Sequence, residues 1–224
     1  MAISTGLAAQ AEPLPQWALG PFVRPENGQP VIKPDPASVF TDPITQKPVK
    51  WEALHTFNPA AVVRDGKIYV LYRAEDDSGE MKIGLHTSRL GLAQSTDGVN
   101  FTKASAPVFG PANDDQKDNE WPGGTEDPRI IEREDGTYVL TYTQWNRQMY
   151  RVGVATSKDL VHWTKQGQAL QKAFDGKFND WYKSAGIVSK VSGGRLKAAK
   201  INGKYWMYWG EGIIRVASST DCIN

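Results

Sequence analysis

Three stretches of the chain alternate apolar and polar positions, and each begins with a two-residue turn signal. They run Asp65-Gly66-Lys67-Ile68-Tyr69-Val70-Leu71-Tyr72-Arg73, Asp135-Gly136-Thr137-Tyr138-Val139-Leu140-Thr141-Tyr142 and Asn202-Gly203-Lys204-Tyr205-Trp206-Met207-Tyr208-Trp209. Aromatic and β-branched residues in such runs predict strands. The Asp-Gly and Asn-Gly pairs predict tight hairpins, since both central residues of a two-residue turn need positive φ. A second strand follows each hairpin and closes on Ser-x-Asp. These strands run from Arg89 to Ser95-Thr96-Asp97, from Arg151 to Ser157-Lys158-Asp159 and from Arg215 to Ser219-Thr220-Asp221. The three aspartates stand at equal intervals of 62 residues, and the turn glycines at intervals of 70 and 67.

Matched elements in one order predict an all-β propeller seen over about three blades. The interval exceeds the roughly 40–50 residues of common propeller repeats, so the blades are long. With 21 Gly and 14 Pro, no long window keeps a clean helical period. Residues 1–50 are expected to form an irregular N-terminal arm, Pro-rich from about residue 12, and residues 51–224 a partial propeller domain. The polar stretch Gly110–Gly124 is expected to be a long functional or mobile loop. A propeller needs about four blades to close. The third repeat ends shortly after Asp221, so a truncated N-terminal portion of a longer protein is expected.

Composition narrows the partners. The 26 basic and 25 acidic side chains nearly cancel, giving no field for nucleic acid or an anionic membrane. No stretch is long enough for a membrane span. Cys222 is alone, and His55, His86 and His162 are scattered, so no metal constellation is read. The Ala-Gln-Ala ending at Ala11 resembles a small-residue cleavage site but lacks a basic n-region. A cytoplasmic location is expected, with periplasmic or secreted as the alternative. Eight Trp and eight Tyr suit either sheet core or the faces of sugars, which pair apolar area with polar edges.

The densest chemical signal is Pro122-Gly123-Gly124-Thr125-Glu126-Asp127-Pro128-Arg129. The glycines permit close backbone approach to a ligand, the proline fixes a turn, and Arg129 can hold a carboxylate through two parallel bonds. Neighbours on a strand face opposite ways, so Glu126 and Asp127 should differ in role. The alternative is a solvated turn whose acid pairs with Arg129. A second signal is Phe57-Asn58-Pro59 with Arg73-Ala74-Glu75-Asp76-Asp77, where Glu75 and Asp77 read as turn charges. A third is cationic: Arg151 at the start of an inner strand and Lys183 in an apolar stretch. Clustered cations near an acid suit an oxyanion co-substrate, and no Gly-rich phosphate loop meets a helix.

Together, Asn58-Pro-Ala-Ala, Tyr72-Arg-Ala-Glu-Asp-Asp77, His86-Thr-Ser-Arg-Leu-Gly91, Pro122 to Arg129, Tyr142-Thr-Gln-Trp-Asn146 and Tyr205-Trp-Met-Tyr-Trp-Gly210 resemble glycoside hydrolase family 130, the mannoside phosphorylases. The resemblance spans about residues 50–217 and is nearest the subgroup acting on 4-O-β-mannosyl-glucose. It implies a five-bladed propeller, Asp127 as general acid and inversion at the anomeric carbon. Phosphate would attack a β-1,4-mannoside to give α-mannose 1-phosphate, the proton passing through a hydroxyl of the mannosyl ring. It implies sugar contacts from Asn58, Arg73, Asp76, Glu126 and Arg129, and phosphate contacts from Arg151, Lys183 and Lys200. Inorganic phosphate is then a co-substrate and no cofactor or metal is called for. A β-mannoside oligosaccharide is the partner, with a homo-oligomer left open.

Phosphate is already an anionic nucleophile, so one acid with nearby cations fits phosphorolysis. Burial and Glu126 are expected to raise the pKa of Asp127. An inverting hydrolase of the same propeller class is the first rival. It needs a second carboxylate to activate water, with Asp76 or Glu211 as candidates. A non-catalytic glycan-binding propeller is the second.

Overall fold

Strand formation follows the alternating runs. The computed structural model describes residues 28–224 continuously and, before them, Pro15, Ala18, Phe22 and Arg24. The Met1–Ala11 leader reading and most of the expected arm up to residue 27 lie outside the described residues. Four strands, His55–Arg64, Lys67–Glu75, Ser88–Ser95 and Thr102–Lys103, pair antiparallel in chain order as blade 1. Gly124–Glu132, Tyr138–Trp145, Tyr150–Ser157 and Thr164–Gln168 repeat that order as blade 2. One parallel pair, Ser88 with Gly124, joins the two. Blade 3 centres on Lys204–Trp209, flanked by Arg215–Ser219. Its innermost strand is split into Gly186–Ile187 and Lys200–Ile201. Between those pieces a hairpin, Ser189–Ser192 with Arg195–Ala198, reaches over to pair Lys197 with Glu132 of blade 2. The single helix among the described residues is the four-residue turn Lys117–Glu120. The fold is therefore all-β and propeller-like, and its sheets do not close into a ring.

The hairpins bear out two of the three turn signals in detail. Asp65 and Gly66 take φ of 50° and 72°, and Asn202 and Gly203 take 52° and 77°. Blade 2 differs, because of its two turn residues only Gly136 is left-handed, at 74°. There the Gly136 N–H donates to the Arg133 carbonyl at 3.0 Å and the Arg133 N–H to the Thr137 carbonyl at 2.8 Å. That is a type I turn followed by a glycine bulge, one of the longer hairpin solutions. The Asp135 carboxylate accepts the Thr137 N–H at 3.0 Å and stabilises it.

The aspartates spaced 62 apart also have a local cause. Ser95, Ser157 and Ser219 donate to Asp97, Asp159 and Asp221 at 2.8, 3.1 and 2.9 Å. Each aspartate accepts the backbone N–H groups two and three residues on, closing the turn after the blade's third strand. Such side-chain-to-backbone bonds mimic a backbone turn. The Asn100 N–H, and the His162 ring beside Asp159, hold the Asp97 and Asp159 carboxyls well below the usual range.

The core lies between blades rather than inside one. Val62, Leu71, Leu90, Phe109, Ile130, Leu140 and Leu160 pack blade 1 against blade 2. Ile131, Val139, Val152, Val154, Tyr182, Tyr205 and Trp209 pack blade 2 against blade 3. The outer face of blade 1, Val70, Tyr72 and Ala93, is covered by Trp51 with Ile32, Phe40 and Val49. That covering segment carries one short ladder, Phe40–Thr41 with Pro48–Val49. Most of the tyrosines and tryptophans in these layers are thus sheet core.

Blades 1 and 2 share a second repeat, invisible as a motif. Tyr72 donates to buried Glu52 at 2.9 Å, and Lys103 pairs with the same carboxylate at 2.9 Å. Tyr142 donates to buried Glu120 at 2.7 Å, and Lys165 pairs with it at 2.5 Å. Each tyrosine ring crosses the neighbouring strand over a glycine, Gly91 or Gly153. Trp209 stands at that position in blade 3 with its indole N–H buried and unpartnered among the described residues. A Cβ at Gly153 would sit 2.4 Å from Tyr142 Cζ, so Gly153→Ala should displace the ring from Glu120. The expected loss is about 1–3 kcal/mol, read as a lower urea midpoint. An unchanged midpoint would mean the ring gives way freely.

Candidate active site

The innermost strands of the three blades carry the same break. Asn58, Asp127 and Ser184 have φ of 44°, 50° and 60°, a region that costs an ordinary residue about 1–2 kcal/mol. In blades 1 and 2 the pairing skips from Phe57 to Ala60 and from Glu126 to Arg129. Pro59 and Pro128 fall in the gap, where a residue with no N–H loses no ladder bond. Each bulge lifts one polar side chain off its sheet at the same end of the blade. Asn58 and Asp127 therefore meet, and the Asn58 Nδ2 donates to Asp127 Oδ1 at 2.8 Å.

Arg73 sits under this pair, its side chain 9 % exposed. Its Nη1 donates to Asp127 Oδ1 at 3.2 Å, and its Nη2 to Glu126 Oε1 at 2.8 Å and Glu75 Oε1 at 2.7 Å. Its Nε donates to Ser88 Oγ at 3.0 Å. The Phe57 ring lies 4.6 Å from the guanidinium carbon. His55 Nδ1 lies 2.9 Å from the other Glu75 oxygen. Asp127 Oδ2 takes no bond from the described residues, and the side chain is 24 % exposed. One oxygen is thus fixed by two donors while the other faces the open side.

Three carboxyls on one guanidinium leave an excess of negative charge. Burial pushes Glu126 up to about 7, with Asp127 and Glu75 adding to the rise and Arg73 and Lys183 opposing it. The Glu126 carboxyl is thus held near neutrality.

The predicted residues divide into those the fold gathers and those it sends elsewhere. Asn58, Arg73, Glu126 and Asp127 form one cluster. Asp76 leaves it: Asp76 Oδ2 accepts Arg89 Nη1 at 2.7 Å, while Asp42 takes Arg89 Nη2 at 2.6 Å, all three buried. Period-two alternation is the reason, because Glu75 shares Arg73's face and Asp76 does not. Glu75 and Ser88 are the site residues the sequence reading passed over, and that alternation was the available signal. Arg129 also departs. It is exposed and makes no ion pair among the described residues. It lines a cavity of about 220 Å³ below the acid, with Pro59, Ile130, Ile187 and Leu196. The alternative of a solvated Asp127–Arg129 pair is thereby removed.

Gly124 is needed where blade 2 meets blade 1, and Gly123 where the chain passes Trp145 of its own blade. A Cβ on Gly123 would lie 2.3 Å from Trp145 Cδ1, and one on Gly124 2.2 Å from the Ser88 carbonyl oxygen. Of the three cations, Lys183 stands nearest the cluster, close enough to act on Glu126. Its Nζ pairs with Glu211 at 3.3 Å and lies 5.4 Å from the Tyr150 ring. Arg151 starts the third strand of blade 2, not an inner one. Its guanidinium donates to Asn179 Oδ1 and to the Asp180 carbonyl. Lys200 is set apart. It pairs in register with Tyr205 beside the Asn202-Gly203 turn, whereas the Lys183 carbonyl accepts the Gly210 N–H. Five residues of strand separate those levels, roughly 16 Å.

The propeller-like sheet assembly thus presents the Asp127 carboxyl between an amide and a guanidinium. The chain belongs to glycoside hydrolase family 130: the family model described as β-1,4-mannooligosaccharide phosphorylase matches residues 25–224. It is 35 % identical over 161 residues to a 1,2-β-oligomannan phosphorylase of Thermoanaerobacter sp. (strain X514), covering 70 % of this chain and 47 % of that protein. A solved glycosyl hydrolase from Bacteroides ovatus is 54 % identical with a TM-score of 0.91, over 95 % of this chain and 59 % of that one. A second solved structure, 54 % identical with a TM-score of 0.91, covers 94 % of this chain and 59 % of its own. It comes from work on family 130 glycoside hydrolases that target β-1,2 mannosidic linkages in Candida mannan. The chain thus spans about half the length of the curated relative and about six tenths of the solved ones.

The Glu126 carboxyl gives a test of the cluster. Its value in the fold, about 7, lies above its ordinary 4.5, so folding takes up a proton. Stability from this group is fully present below about pH 4.5 and is lost as pH rises through 7. Glu126→Gln keeps the neutral shape. The variant should gain on the wild type by about 3 kcal/mol between pH 4.5 and 8, measured by urea unfolding. A difference independent of pH would overturn the assignment.

Proposed function

We propose that the whole protein cleaves β-linked mannosides with inversion at the anomeric carbon, Asp127 supplying the proton to the departing oxygen. The observation that carries this is the pinned Asp127 carboxyl, held at one oxygen by Asn58 and Arg73 with the other free on the open side. An acid so fixed is pre-oriented, and it needs no rearrangement when the bond breaks. The relatives named above favour a β-1,2 linkage over the β-1,4 linkage suggested by the sequence motifs. The five-bladed ring is proposed for the whole protein.

Water is the acceptor we favour. A dianionic phosphate needs unpaired cations, and Lys183, the cation nearest the cluster, is already paired with Glu211; Arg151 keeps its charge and donates only to the Asn179 side-chain oxygen and the Asp180 backbone carbonyl. Glu211 adds a negative charge at Lys183, the cation nearest the cluster. The same carboxylate can accept a proton from water as its oxygen bonds to C1, the C1–O bond breaks and Asp127 protonates the leaving oxygen. That is the two-carboxylate logic of an inverting glycosidase. Phosphorolysis remains the second reading. It is favoured by the family's phosphorylase relatives and by the nearness of Lys183, and it would need Glu211 to swing away from the ammonium.

The full-length enzyme given β-1,2-mannobiose should release free mannose at the same rate with and without phosphate. Mannose 1-phosphate that appears only with phosphate would select the second reading. Glu211→Gln should lower hydrolysis by about a hundredfold or more, whereas under phosphorolysis it should spare or raise the rate. Asp127→Asn should reduce turnover of mannobiose by several orders of magnitude with the fold intact. Near-normal turnover would remove Asp127 from the role of acid.

A further inference from the structure

The strand that carries Asp127 is entered through the short helical turn Lys117–Glu120, and only Trp121, Pro122 and Gly123 lie between that turn and the strand. Glu120 is fully buried. Its Oε1 accepts the Tyr142 hydroxyl at 2.7 Å and Gln144 Nε2 at 3.2 Å, and its Oε2 takes Lys165 Nζ at 2.5 Å. These donors stand on two other strands of blade 2, Tyr138–Trp145 and Thr164–Gln168. The same grip extends upstream. Asp114 pairs with Lys165 at 2.9 Å, and Gln116 Oε1 accepts Gln144 Nε2 at 3.1 Å.

The residues that hold Glu120 flank the partners of the acid segment. Gln144 pairs in register with Thr125 and Thr143 with Glu126, after which the ladder skips to Arg129. Asp127 therefore has no ladder partner of its own, and its φ of 50° is a strained one. Such a conformation persists only where the surroundings over-determine it. Asn58 and Arg73 hold the carboxyl head, and Glu120 fixes the backbone ahead of the break. Blade 1 repeats the arrangement. Buried Glu52, gripped by Tyr72 and Lys103, stands six residues before Asn58, as Glu120 stands seven before Asp127. A buried ion pair adds little stability over an apolar pair of similar volume. Its recurrence ahead of both polar breaks is explained by placement.

We infer that Glu120 is a positioning residue for the reaction, holding the blade 2 strand so that Asp127 leaves the ladder at the scissile bond. The inference rests on the proposed role of Asp127 as the acid. Fluoride departs without a proton, so a misplaced acid slows cleavage of a disaccharide and spares β-mannosyl fluoride, whereas a damaged fold slows both. A displacement of about 1 Å at a reacting group can cost about a hundredfold. Glu120→Gln keeps the volume but turns an amide N–H toward Lys165. In the full-length enzyme it should lower kcat for β-1,2-mannobiose about tenfold or more, and for β-mannosyl fluoride by less than about twofold. Equal losses on both substrates, or none on either, would overturn the inference. Should that variant fail to fold, Glu120→Gln with Lys165→Met removes both buried charges and should show the same selective loss. If Asp127→Asn itself loses both substrates equally, the acid reading fails, and the place of Asp127 decides the matter separately. A crystal structure of the Glu120 variant should then show the Asp127 carboxyl out of hydrogen-bond reach of Asn58 Nδ2, which lies at 2.8 Å in the wild type. An unmoved carboxyl would refute the positioning role.

Discussion

One guanidinium carries the site. Arg73 is buried in the second strand of blade 1, yet its donors reach Glu75 of its own strand, Ser88 of the next strand, and Glu126 and Asp127 of blade 2. A buried charge left without partners is far more costly than one satisfied all round. The blades are thereby held to one relative position, the one that satisfies Arg73. The same requirement aims Asp127, since its fixed oxygen is a ligand of Arg73 and of Asn58. Burial, helped by the charges of Asp127 and Glu75, leaves Glu126 near neutrality although Arg73 opposes the rise. The geometry is therefore set by a single side chain.

The scaffold meets that requirement through repetition. Each blade closes its third strand with a Ser-x-Asp turn, and each innermost strand breaks at a left-handed residue before a proline or alanine. The breaks bring Asn58 and Asp127 together on one face of the assembly. Blade 3 keeps the break but not the rest. Its inner strand is interrupted by the 189–198 hairpin, Trp209 replaces the tyrosine that holds a buried glutamate, and Lys183 stands where the other blades have Phe57 and Glu126. That last difference places an ammonium beside the acid pair, and Glu211, from the loop after Trp209, answers it.

Much of this was legible in the chain. Turn glycines, strand runs and the 62-residue interval identified the blades, and Pro122–Arg129 held two members of the cluster, Glu126 and Asp127. Legibility failed where spacing along the chain was taken for proximity. Asp76 is adjacent in sequence to Glu75 but faces Arg89, because strand neighbours point to opposite sides of a sheet. Lys200 was grouped with Lys183 although a strand's length lies between their levels. The Gly123-Gly124 pair read as ligand approach, whereas its closest contacts are Trp145 within blade 2 for Gly123 and the Ser88 backbone of blade 1 for Gly124. The buried Tyr–Glu–Lys sets could not be read at all, since Glu52 and Glu120 precede their blades, one in an irregular segment and one in a four-residue helical turn, and look like surface charges.

The account makes Asp127 a proton donor and assigns its neighbours to holding it. That claim separates cleanly from binding, because fluoride leaves without being protonated whereas a sugar alkoxide does not. The direct measurement compares wild-type and Asp127→Asn full-length enzyme on β-1,2-mannobiose and on β-mannosyl fluoride. The account predicts a loss of several orders of magnitude on the disaccharide, and on the fluoride a loss within about tenfold. Equal loss on both substrates would contradict it and leave Asp127 as a binding residue only.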